Sequence, residues 1–97
     1  MARHRARSEP RRVSLGDDLR IARAREVWAL LSASPAAREV EIDASQVGRV
    51  DAAGLQALAA GVAALGAAKV RIRWSAVSPV LEASIALTGF ASALEMK

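Results

Sequence analysis

Two short stretches with a two-residue period enclose one stretch with a helical period, and this pattern constrains the fold more than anything else in the chain. Glu39-Val-Glu-Ile-Asp43 sets Val40 and Ile42 on one side and Glu39 and Glu41 on the other. Val70-Arg-Ile-Arg-Trp74 repeats the arrangement, with Val70, Ile72 and Trp74 opposite Arg71 and Arg73. Between them Leu55, Leu58, Val62 and Leu65 fall on one helical stripe. Strands separated by a helix imply parallel neighbours joined by a crossover. A parallel strand covered on both faces reads as a continuous apolar run. These strands alternate instead, so the sheet is expected to carry helices on one face and water on the other. Glu41 beside Arg71 is the expected cross-strand pair on the wet face.

The punctuation agrees with this order. Asp51 suits the N-cap of the central helix and Gly66 the left-handed position after it, while Gly61 inside it reads as a close-packing point. Ser78, Pro79 and Gly89 cap, open and close a last helix. In that helix Leu81, Ile85 and Thr88 share a face, Val80 and Leu87 flank it, and Phe90 and Leu94 can fold back after the turn. Upstream, Val13–Leu15 and Leu19–Ile21 alternate around the turn residues Gly16-Asp-Asp18, which suggests a small hairpin or one bent strand. From Ala22 to Leu31 the period becomes helical, with Ala24, Val27, Leu30 and Leu31 inward, and Ser34-Pro35 ends the segment. The expected fold is α/β: a small, mostly parallel mixed sheet with three amphipathic helices packed on one face.

Composition narrows the chemistry. At 97 residues the chain is one domain, and much of its 53% hydrophobic content is alanine, so Trp28, Trp74 and Phe90 are expected among the large core formers. There is no cysteine, and the single histidine, His4, lies near the start. That excludes disulfides and thiolate metal sites, and most zinc, haem and histidine-based catalytic schemes. Within residues 1–12 five arginines stand against Glu9, which accounts for the whole net charge of +4; the other nine basic and nine acidic residues cancel. Residues 1–12 are therefore expected to be a disordered Arg-rich tail and 13–97 the folded domain. The tail lacks the apolar stretch of a secretory signal and no apolar run approaches ~18 residues, so the expected localisation is cytoplasmic.

The run Ile42-Asp-Ala-Ser-Gln-Val-Gly-Arg-Val-Asp51-Ala-Ala-Gly-Leu55, followed by Val77-Ser-Pro-Val-Leu81 and then Ala86-Leu-Thr-Gly89, resembles STAS domains, which include the bacterial anti-sigma-factor antagonists. The resemblance covers about residues 13–95. It implies a STAS-like fold and a partner-binding surface at Asp51, Ala52, Ala53, Gly54 and Leu55. Many members carry a phosphorylatable Ser or Thr after the aspartate; here Ala52 holds that position, so the resemblance implies a signalling module with its phosphosite lost. Arg20 aligns where the family places an acidic residue, and the family's usual first strand is shortened or missing. The physical basis of such a switch is general: the free N–H groups and positive potential of a helix start accommodate a phosphate.

An enzyme is not expected. Asp17, Asp18, Asp43 and Asp51 all have turn or cap roles, and Gly48 and Gly54 make no nucleotide-binding fingerprint. No catalytic residue, metal site, cofactor or small-molecule substrate is assigned. The resemblance implies a protein partner: an anti-sigma factor or kinase or another signalling complex, or alternatively the ATPase of a phospholipid-transport ABC system, on which some small STAS subunits dock. Nucleic acid is not expected as a partner without a basic folded face or aromatic platform, and membrane contact is expected only peripherally, through the tail. Ser78 reads as a cap, Asp43 as a turn cap and Trp74 as core.

Overall fold

The alternating segments do bury one side each, in a computed structural model that describes residues 11–32 and 38–95. The elements in chain order are β1 (Arg11–Ser14), β2 (Asp18–Leu19), a 3-10 turn (Ile21–Arg23), α1 (Ala24–Ser32), β3 (Glu39–Ala44), β4 (Arg49–Val50), α2 (Ala52–Ala67), β5 (Arg71–Val77) and α3 (Pro79–Thr88). Strand β3 is central, with β1 on one side and β5 on the other, both parallel to it. Val40, Ile42 and Ala44 are fully buried, while Glu39, Glu41 and Asp43 remain partly exposed on the other face. All strand pairs among the described residues are parallel.

Four local expectations change at the N-terminal end. Val13–Leu15 and Leu19–Ile21 form neither a hairpin nor one bent strand. β1 pairs with β3, whereas β2 pairs in parallel with β4 as a separate two-residue ladder. The reason is burial: Leu15 and Leu19 both enter the core, and β3 and β4 offer backbone partners that a local hairpin would forgo. β1 opens at Arg11, so two residues counted with the tail belong to the sheet, opposite Val40 and Glu41. The helix begins as a 3-10 turn and becomes α-helical at Ala24. Val27 and Leu31 are buried, but Trp28 is 47% exposed and is not a core residue. The proposed stop at Ser34-Pro35 lies outside the described residues.

The register of β5 also differs from the expected one. Glu39 stands opposite Arg71 and Glu41 opposite Arg73, so the ion pair is Arg73–Glu41 at 2.8 Å rather than Arg71–Glu41. This bond holds the Glu41 carboxyl below its ordinary range. A bulge follows: Ile42 faces Trp74 while Asp43 faces Ala76, leaving Ser75 extra.

α2 presents Leu55, Leu58, Val62 and Leu65 to the core, each at most 2% exposed. Gly61 is a contact point as expected: a Cβ there would lie 2.9 Å from Leu31 Cβ on α1. Gly66, by contrast, is not the left-handed residue. The helix runs on to Ala67, Lys69 takes φ 63°, and Val70 N–H closes onto Leu65 O. α3 is punctuated as read, with Ser78 as N-cap, Pro79 at its start and Gly89 at φ 74°. Leu81 and Ile85 are buried, but Thr88 is exposed and turns its hydroxyl back onto Ser84 O. Leu94 folds back into the core, where its carbonyl accepts the Trp74 indole N–H at 3.0 Å, and Phe90 packs at its edge.

Candidate functional site

The start of α2 is built by one carboxylate. Asp51 is extended (φ −134°, ψ 175°), and its Oδ1 accepts from Gly54 N–H at 2.8 Å, the N-cap bond its position predicts. The other oxygen does something the sequence does not announce. Asp51 Oδ2 accepts from Ile21 N–H at 2.9 Å, tying the helix start to the 3-10 turn thirty residues earlier. The Asp51 amide in turn donates to Leu19 O at 3.2 Å. The bonds from Ile21 and then Gly54 hold the carboxyl below its ordinary range, because each favours the ionised form.

The five residues assigned to the partner surface divide by burial. Ala52 is exposed, Asp51 and Ala53 are half-buried, and Gly54 and Leu55 are buried. Gly54 is the floor of the site rather than its surface: a Cβ there would overlap the Leu19 carbonyl. Its lack of a side chain lets the first turn of α2 lie on the backbone of β2. Leu55 contributes the base of an open groove of about 200 Å³, walled by Val50, Asp51 and Ala52 on one side and Ser84, Leu87 and Thr88 on the other.

Two residues flanking Ala52 carry a signal that sequence reasoning did not draw out. Ile21, at the end of an alternating stretch, lies in the 3-10 turn instead of a strand and is 71% exposed beside Asp51. Leu87, which flanks the α3 core stripe, is 88% exposed on the groove's far wall. Arg20, which aligns with an acidic position of the family, forms a two-pronged pair with Asp18, at 2.8 and 3.0 Å. That pair lowers the Asp18 pKa and raises that of Arg20. Asp43 caps its turn through Ser45 N–H, which holds its carboxyl low. Among the described residues no three His, Cys, Asp or Glu side chains converge on a metal-sized site, and no helix is long and apolar enough to cross a membrane.

A small parallel sheet and three helices, one of them with an exposed start that carries no hydroxyl at Ala52, define a small domain of α/β type. The chain matches the family model described as "Mlab, STAS domain" over residues 2–95, and it belongs to the STAS domain family. The crystal structure of a sulfate transporter family protein from Wolinella succinogenes superposes with a TM-score of 0.75 at 19% identity, covering 88% of this chain and 70% of that one. At that identity the likeness is one of fold. No curated protein sequence matches the chain significantly. STAS domains serve in regulatory and transporter-associated modules, are generally non-catalytic, and typically mediate protein–protein interactions.

Proposed function

We propose that this STAS domain is a non-catalytic docking module that engages a protein partner through the α2 start, with Ala52 at the centre and Ile21 and Leu87 at the rim. The observation that carries the reading is the exposure of two large apolar side chains on either side of a helix start that carries no hydroxyl. Exposed apolar groups around a rigid element are what a protein interface uses. Ala52 cannot be phosphorylated, so the helix start is permanently in its unphosphorylated form.

One candidate partner is the ATPase subunit of a phospholipid-transport ABC system, on which some small STAS subunits dock. A second reading, an anti-sigma factor or kinase, is favoured by Ala52 at the phosphoacceptor-equivalent position, which fixes the unphosphorylated state of an antagonist. With either partner the expected localisation is cytoplasmic. The test is affinity capture on the immobilised domain, using a purified transporter ATPase and a purified anti-sigma kinase from the source organism, with Ala52→Glu alongside. Retention of the ATPase, lost in Ala52→Glu, supports the first reading, and retention of the kinase supports the second. Binding of either partner unaffected by Ala52→Glu moves the interface elsewhere.

A further inference from the structure

The Asp51–Ile21 bond places a second exposed surface next to the docking site. Arg25 and Trp28 lie one turn apart on α1, Ile21 lies in the 3-10 turn that leads into it, and all three are exposed, Ile21 by 71% and Trp28 by 47%. Val27 and Leu31 already supply the inward face of this segment. Arg25 has no ion-pair partner among the described residues, whereas its neighbour Arg23 is engaged by Leu15 O, Asp18 O and Glu26. The segment thus presents an apolar, basic, apolar series, and its first member is held by the carboxylate that caps α2.

We infer that this flank of α1 is a second arm of the partner surface, and that it receives an amphipathic acidic helix of the partner protein. Ile21 and Trp28 take the helix's apolar side chains, and Arg25 pairs with a carboxylate between them. Tryptophan and arginine are the residue types that most often dominate such contacts. A lipid surface is the poorer fit. Glu26, whose side chain is 68% exposed, lies beside a single unpaired cation, while anionic membranes recruit clusters of basic residues. The inference deepens the docking proposal and rests on it for the identity of the partner, but its chemistry is tested separately.

Trp28 is its own reporter. In the full chain with Trp74→Phe, the remaining indole is the exposed one, and circular dichroism checks that the fold is kept. The probes are a synthetic helix with leucines at i, i+3 and i+7 flanked by glutamates, and its counterpart with lysines in their place. The acidic helix is expected to shift Trp28 emission to the blue, saturably and several-fold more tightly than the lysine helix. Arg25→Glu is expected to reverse that preference, and Arg71→Glu, at an exposed position of β5 away from this flank, to leave it in place. No shift, or equal shifts with both helices, would overturn the inference. So would a shift produced only by anionic vesicles, or one that follows protein concentration without peptide and marks a second copy as the occupant. Capture that survives Ala52→Glu beside a saturable, acid-selective Trp28 shift overturns the docking reading alone, whereas capture lost in Ala52→Glu beside no Trp28 shift overturns this arm alone.

Discussion

The starts of α2 and α3 use the same local device to opposite ends. Both are N-capped by a side-chain oxygen: Asp51 Oδ1 accepts from Gly54 N–H, and Ser78 Oγ accepts from Leu81 N–H. Ser78 is 5% exposed, and its hydroxyl also donates to Val47 O at 2.6 Å, so this cap is an interior joint between α3 and the chain before β4. Asp51 is half-buried, and its spare oxygen reaches outward along the surface to Ile21. One cap joins core elements. The other braces an exposed platform on which Ala52, Ile21 and Leu87 are displayed. A capping residue identifies a helix start, but its second hydrogen bond shows whether that start is structural or presented.

The sharpest break of this comparison is Gly54→Ala. Helix propensity alone predicts a gain of about 1 kcal/mol. The Leu19 carbonyl in the path of the new Cβ predicts instead a loss of roughly 2–4 kcal/mol in urea unfolding. A stabilised variant would show that α2 does not lie on β2. Next is Ser78→Ala, expected to cost roughly 1–3 kcal/mol, because it strands Leu81 N–H and Val47 O in a buried setting. Partner capture should survive at temperatures where the variant is folded; if capture is lost, the interior joint is part of the interface after all.

Asp51→Asn is expected to act more weakly on stability and more strongly on binding. Its stability effect also depends on pH. The Asp51 pKa is lowered in the fold, so its contribution is fully present above the unfolded value of ~3.9 and fades as pH falls through the lower folded value. The melting temperatures of wild type and Asp51→Asn should therefore differ at neutral pH and converge on acidification below ~3.9. A gap that widens in acid would contradict the bond from Ile21. The smallest effect belongs to Ala52→Glu. An acidic residue in the first turn of an exposed helix start should leave unfolding within ~0.5 kcal/mol of wild type while abolishing capture of the partner. Unfolding of this variant would remove the basis for treating Ala52 as surface.

Much of the framework was legible because it rests on repeated local signals. The alternation at Glu39–Asp43 and Val70–Trp74, the Leu55–Leu65 stripe and the capping triad Ser78, Pro79 and Gly89 each bind several residues to one outcome, and the structure follows them. Signals that rest on single residues were less secure. β2 and β4 are two residues each, too short to show a period, and their pairing is long-range. Trp28 is large and apolar, yet Val27 and Leu31 already occupy the side of α1 that meets α2. Gly66 is permissive of a left-handed turn, but the bond from Val70 N–H to Leu65 O places that turn at Lys69. The partner of Glu41 depended on register, which is set by how β5 seats on the core and by the bulge at Ser75.

For the site, the sequence by itself determined a capped helix start at Asp51 with no hydroxyl at Ala52, because capping is local chemistry read within four residues. It also determined, through run and spacing, the resemblance that the family match bears out. Tertiary structure alone decided that Gly54 is floor and Ala52 is surface, that Asp51 reaches Ile21, and that Ile21, Trp28 and Leu87 stand exposed. The physical reason is that exposure belongs to the packed whole. An apolar side chain is buried only when a neighbouring element covers it, and which neighbour arrives is set by contacts between residues far apart in the chain.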